Sequence, residues 1–185
     1  MLGDAHIAQR STSGNSRLVY TQTADSHKKY FFYVLSFFLS FCTIGYEPQL
    51  RVIKDKKANK IYQAYAFTTM QLPCFNLVRQ LFYPSGIKIV PYDIYNLLTP
   101  IGLAFWIMDD GSRHGSGLHL GVYGFDSESI DRLMYTLQNK FKLTCSIHYN
   151  RDNKPRIYIF KESMDYLREL VKPYFIDEMM YKLGE

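Results

Sequence analysis

The residues best placed to do chemistry are two adjacent carboxylates, Asp109 and Asp110, which end the otherwise apolar run Pro100-Ile101-Gly102-Leu103-Ala104-Phe105-Trp106-Ile107-Met108. Thr99 is a good N-cap, and Pro100 suits the first helical position, where a missing N–H costs nothing. Gly111 stands where a left-handed residue closes a helix. The stretch predicts a buried helix about 16 Å long at ~1.5 Å per residue. Acids at its last turn oppose the macrodipole, whose negative end lies there. A positive group must offset them, and a divalent metal is the simplest one. A solvated helix end is the alternative reading of the same residues.

Leu103 to Gly111 resembles the signature of the LAGLIDADG homing endonucleases, in the branch whose second copy reads Leu-Ala-aromatic-Trp-x-Met-Asp-Asp-Gly. On that resemblance Asp110 falls on the family's metal-ligating acid and Gly111 on its closing glycine. Phe105 replaces the first glycine of the signature and Met108 its first acid. The similarity continues through Asn139-Lys140-Phe141, Asn153-Lys154-Pro155-Arg156-Ile157-Tyr158-Ile159 and Met179-Met180-Tyr181-Lys182-Leu183. It points to the single-chain, intron-encoded enzymes of mitochondria. The opening Met1-Leu2-Gly3-Asp4-Ala5-His6-Ile7 resembles the close of a first copy, which makes Asp4 the counterpart of Asp110. The helix expected to lead into Asp4 is missing, so the sequence reads as truncated at its first helix.

Composition sets outer bounds. The 185 residues suffice for one domain or two small ones, and net charge +5 fits a polyanionic partner. Cys42, Cys74 and Cys145 lie far apart without C-x-x-C spacing, which argues against a zinc site or a disulfide framework and for a reducing compartment. The load of 16 Tyr and 13 Phe is what an A/T-rich organellar genome encodes readily.

The elements that must position these residues follow from patterning. Residues 5–10 and 17–24 read as strands, and Asp25-Ser26 as the cap of a helix over 29–42. The apolar run 30–46 carries Ser36, Ser40 and Thr43 and is shorter than the ~20 apolar residues of a membrane span. A buried helix and no membrane partner are expected. Strands over 48–54 and 60–69 flank the basic turn Asp55-Lys56-Lys57-Ala58-Asn59, and a helix over 73–83 leads to a linker at 84–98. After Gly111 come a Gly/Ser/His turn, a strand over 117–125 and a helix over 128–142 capped by Asp126-Ser127. A hairpin of 144–150 with 156–160 and a helix over 162–170 complete the order.

The order repeats. Asp4/Asp110, Asp25/Asp126 and Phe67/Phe160 pair the halves, so the chain reads as an internal duplication of an αββαββα unit. The expected fold is α+β, with halves at residues 1–97 and 98–185. The resemblance adds a pseudo-two-fold arrangement of two curved antiparallel sheets flanking a central helix pair, monomeric if the first helix is complete.

Alternation in the hairpin puts Cys145, Ile147 and Tyr149 on one face and Ser146, His148 and Asn150 on the other, with Arg156 and Tyr158 alternating with Ile157 and Ile159. Ordinary solvent exposure explains such a face equally well. The resemblance implies instead that it lies in the major groove of double-stranded DNA. The cations Arg10, Arg17, Lys56, Lys57, Lys60, Arg113, Arg151 and Lys154 would neutralise phosphates. The same resemblance implies Mg²⁺-assisted phosphodiester hydrolysis, with Asp4, Asp110 and the carbonyls of Gly3 and Asp109 as ligands. Lys182 and Lys88 match positions that carry basic side chains in the family's active sites. The expected function is a site-specific double-strand DNA endonuclease for intron homing, encoded in the mitochondrion. The alternatives are an intron RNA maturase and an inactive truncated remnant.

Overall fold

The computed structural model describes residues 1–55 and 60–185, and leaves the side chain of Asp55 undescribed. The chain divides into two compact units, Gly3–Gln80 with Met1 and Leu81–Glu185 with Leu2. In the first, β1 (His6–Ala8), β2 (Arg17–Thr23), β3 (Gln49–Asp55) and β4 (Lys60–Thr68) form a four-stranded antiparallel sheet in the order β1-β2-β4-β3. Helix α1 (Ala24–Ser36) lies between β2 and β3 in sequence, and α2 (Cys74–Phe82) follows β4. Strand alternation turns Leu18, Tyr20 and Phe67 towards α1, which buries Tyr30, Phe31, Val34 and Leu35 against them. The Phe31 ring sits 6.1 Å from Tyr20 and 5.7 Å from Phe67, within the range of favourable aromatic pairs.

Helix α1 departs from expectation at both ends. Its N-cap is Thr23, not Asp25-Ser26, and His27 interrupts the first turn with φ −131° and ψ 27°. It stops at Ser36, well short of residue 42. The Ser36 hydroxyl donates to Tyr33 O, and the Phe37 and Phe38 amides reach back only three residues, to Val34 O and Leu35 O. Such bonds tighten the last turn and end the α-helix. Among the described residues, no helix is long and apolar enough to cross a membrane.

The second unit follows the αββαββα order. Helix α4 (Pro100–Asp110) is followed by β5 (Gly111–His114), β6 (Gly117–Gly121), α5 (Ser127–Asn139), β7 (Cys145–Tyr149), β8 (Pro155–Ile159) and α6 (Met164–Val171), with a short α3 (Ile94–Leu97) before it. Its four strands pair antiparallel in the order β5-β6-β8-β7, the same permutation as in the first unit. Leu118, Leu120, Ile157 and Ile159 are fully buried on the helix-covered face. Thr99 caps α4 as its sequence position implies, accepting from Gly102 N at 3.3 Å. Leu103, Ala104, Trp106, Ile107 and Met108 are buried, and α4 packs on β5, β6 and α6.

Gly111 is not left-handed. Its φ of −76° and ψ of 147° are extended, and it begins β5 directly. A Cβ there would lie 2.4 Å from Ile107 O, so close approach to the helix is what demands a glycine. The turn expected after it is instead an edge strand, which shows no apolar alternation to read because it is short and largely exposed. The turn comes at Gly115, with φ +58°. Asp126 caps α5 by accepting from Ser129 N at 2.8 Å, and the helix ends at Asn139 rather than 142, with Lys142 at φ 53°. Residues 84–98 are no free linker: Val90, Ile94 and Leu98 are buried, and Val90 N donates to Ser129 Oγ at 3.0 Å.

Register corrects one pairing of the repeat. His6 lies opposite Val19 and Val19 opposite Thr68, while Ser112 lies opposite His119 and His119 opposite Tyr158. With Asp4 matched to Asp110, Phe67 therefore corresponds to Ile157, not Phe160. Both Phe67 and Ile157 are buried core residues.

Candidate active site and nucleic-acid interface

Asp109 and Asp110 sit half-buried at the C-terminal end of α4. The positive group that this helix end requires belongs to the chain. Lys182, on the 3-10 helix Asp177–Leu183 and only 5% exposed, donates from its ammonium to Met108 O and to Asp109 O, the latter at 2.9 Å. Helix-terminal carbonyls lack intrahelical partners, and a cation there meets both the hydrogen-bonding and the dipole need. The Asp109 carbonyl, expected as a metal ligand, thus already accepts from Lys182. Lys88 lies with its ammonium 5.6 Å from the centre of the Phe125 ring.

In the first unit Asp4 is exposed, follows half-buried Gly3, and accepts a hydrogen bond from Gln22 Nε2. Gln22 is itself buried and meets His27 Nδ1 through Oε1 at 3.2 Å. Neither Gln22 nor His27 stands out in sequence, because only register brings β2 back to the chain start. Among the described residues, no group of three or more His, Cys, Asp or Glu lies close enough to hold a metal ion by itself.

On the second sheet, the uncovered face gathers Ser146, His148, Arg156 and Tyr158, with Ser146 opposite Tyr158 and His148 opposite Arg156. His119 and His114 join them. His119 Nε2 and His148 Nδ1 are 3.3 Å apart, the His148 ring stacks on Tyr158 at 4.6 Å, and His114 lies 4.3 Å from His119 ring to ring. Burial pushes the His119 imidazole down to about 4, helped by the neighbouring charges of His114, His148 and Arg156, so it is neutral at pH 7. Among the described residues, Ser146 Oγ and Arg156 Nε find no hydrogen-bond partner. The face therefore carries polar capacity that the protein does not use on itself. His119 and His114 escaped sequence reading; the alternation Leu118-His119-Leu120 was the available signal.

The remaining cations scatter. Arg10 and Lys60 are exposed, and Arg17 is half-buried at the start of β2 with its Nε unpartnered among the described residues. Lys56 and Lys57 lie outside the described residues. Arg151 and Lys154 are exposed in the β7–β8 turn. The Lys154 ammonium and the Arg156 guanidinium lie 5.9 and 5.5 Å from the ring centre of exposed Tyr123, a further residue not picked out by pattern. Asn150, expected on the DNA-facing side, accepts from Asp152 N and Lys154 N through its side-chain oxygen and so builds the turn. Arg113, expected at a phosphate, is exposed on β5. It lies opposite buried Leu118, so alternation turns it away from His119. Cys42, Cys74 and Cys145 are all free thiols.

Residues 1–167 match the profile of the LAGLIDADG DNA endonuclease family. The chain is 35% identical over 195 residues to the cytochrome b mRNA maturase bI2 of Saccharomyces cerevisiae, covering 100% of this chain and 45% of that protein. It is 34% identical over 142 residues to the intron-encoded endonuclease ai4 of Dictyostelium discoideum, covering 74% and 89%. Its fold is similar to that of the homing endonuclease I-WcaI bound to its DNA recognition sequence, with a TM-score of 0.88 and 29% identity over 98% of this chain and 81% of that one. The chain spans under half the length of the yeast maturase. With the signature helix, the twice-used sheet topology and the profile match over nine-tenths of its length, the chain belongs to the LAGLIDADG DNA endonuclease family.

Proposed function

We propose that this chain is a site-specific double-strand DNA endonuclease whose cleavage depends on magnesium and serves intron homing, with functional halves at residues 1–97 and 98–185. The observation that carries the reading is the uncovered face of the second sheet, where His119, His148, Arg156 and Ser146 converge and hydrogen-bonding groups are left unused. Imidazoles and guanidinium groups on a strand pair are suited to base edges in a major groove. Arg10, Arg17, Lys60, Arg151 and Lys154 are assigned to phosphates, and Lys56 and Lys57 with them.

Asp110 and Asp4 are each assigned as ligands of a divalent ion. Carboxylates few in number fit magnesium, which is held by one or two of them together with waters and substrate phosphates. When bound, such an ion polarises a phosphoryl oxygen and acidifies a water. Lys182 fixes the end of α4 through Met108 O and Asp109 O, and its charge beside Asp110 offsets negative charge gathering on the phosphate. The carbonyls of Gly3 and Asp109 are assigned as further ligands, and the Lys88 ammonium to the charge of the reacting phosphate. The similarity of relatives named as cytochrome b maturases and intron-encoded endonucleases supports an organelle-encoded origin.

The test is cleavage of a long DNA carrying the uninterrupted host gene, with and without Mg²⁺. Asp110→Asn is expected to reduce cutting by about 10²–10³ or more while leaving binding to the same DNA largely intact, since the loss lies in stabilising the reacting charge. Equal cutting by the variant removes Asp110 from the chemistry. A second reading, intron RNA maturase, is favoured by the named activity of the yeast relative. Splicing of the host intron by a variant that no longer cuts would separate the two.

A further inference from the structure

A cavity of about 230 Å³ opens at the edge of the second sheet, on the side opposite His119, and it is ringed by cations. Arg113 on β5, Lys161 on the 3-10 turn Lys161–Ser163 and Arg168 on α6 line it, together with Ser116 of the β5–β6 turn. The carboxylate in the lining, Asp165, is held by Arg168 Nη1 at 2.8 Å. Arg168 also donates from Nε and Nη2 to Leu183 O, at 3.1 and 3.0 Å, and its Nε lies 3.8 Å from Glu185 Oε1. It forms a fixed wall whose charge is already paired, and the unspent charge is that of Arg113 and Lys161. Arg113 uses only Nε internally, on Gly115 O at 3.3 Å, and among the described residues its terminal nitrogens and the Lys161 ammonium make no hydrogen bond or ion pair. A guanidinium fork, an ammonium and a hydroxyl facing one hollow match a tetrahedral oxyanion.

The repeat sharpens the point. Arg113 occupies the position that Ile7 fills in the first unit, opposite Leu18 there and opposite Leu118 here. Ile7 is 2% exposed and serves the core. A position that is core in one half thus carries an exposed arginine in the other, its side chain lying along Gly184. We propose that the Arg113–Lys161–Arg168 cavity is a phosphate-binding site, separate from the face assigned to the duplex and independent of whether the chain cuts DNA. Its volume exceeds a single phosphate group, so the phosphate of a nucleic-acid backbone fits as well as free phosphate.

The experiment is a titration of the ¹⁵N-labelled full chain with inorganic phosphate at constant ionic strength, with chloride as the control. Saturable shifts of the Gly115, Ser116, Gly117 and Lys161 amides are expected. Arg113→Met with Lys161→Met should weaken them by about tenfold, as loss of two charge-assisted contacts implies. If the double variant does not fold, Lys161→Met alone removes an exposed side chain and keeps the test decisive. A short RNA and a DNA duplex lacking the target, each added to the phosphate-loaded protein, identify the source: displacement marks a backbone phosphate, and no displacement by either marks free phosphate. Absence of saturable shifts beyond those in chloride, or unchanged shifts in the variants, overturns the site.

Discussion

The two sheets share strand order and register and differ in what their uncovered faces carry. Positions that read His6, Val19 and Thr68 across the first sheet read Ser112, His119 and Tyr158 across the second. On the covered faces the equivalent pairs Leu18 and Leu118, Tyr20 and Leu120, and Phe67 and Ile157 are apolar and buried in both. Burial fixes one side of a strand, because a one-residue slip would expose every core side chain. The other side is free to change. A duplicated scaffold can therefore keep one core pattern and carry two different surfaces.

The largest expected effect lies on the shared side. Phe67→Ala should cost ~3–5 kcal/mol and Ile157→Ala ~2–5 kcal/mol, whereas Val19→Ala on the uncovered face should cost far less. Urea unfolding of the full chain measures all three. If half-buried Phe160 proves as costly to truncate as Ile157, the register-based equivalence of the halves is wrong.

A smaller effect separates the uncovered faces. His119 holds its imidazole at about 4, below the ordinary 6.5, so the unfolded chain takes up that proton first as pH falls. This contribution to stability is fully present above about 6.5 and declines progressively down to about 4. His119→Gln should flatten that part of the stability profile, while a change at Val19, its counterpart, should not alter the slope. An unchanged slope in His119→Gln would show that the imidazole is not held neutral by the fold.

The smallest contrast is between helix starts. Asp126→Ala removes a cap that accepts from Ser129 N and should cost ~1 kcal/mol. Asp25→Ala should cost only the ~0.3–1 kcal/mol of an acid in a first turn, because Thr23 holds the N-cap position. Thermal melts of the two variants rank them, and a larger loss at Asp25 would restore it as the cap.

The α4 helix was legible from its cap and its apolar run, which are encoded within a dozen neighbours, although Gly111 ends it by close approach to Ile107 and not by a left-handed turn. So was the alternation of β7 and β8, and with it the α+β duplication. The end of α1 was not, since Ser36 and the two phenylalanines after it decide it through hydrogen bonds that compete with the helix. Strand β5 was hidden because an edge strand of Gly, Ser, Arg and His carries no period. What faces what was beyond reading one segment at a time. Whether Arg113 joins the His119 face or the opposite cavity depends on its pairing with Leu118, and whether Asp109 O is free depends on Lys182, more than seventy residues away. Local sequence determined which elements form, because caps and periodicity act within a turn or a strand. Tertiary structure decided which groups meet, because register and the return of distant segments set every contact at the site.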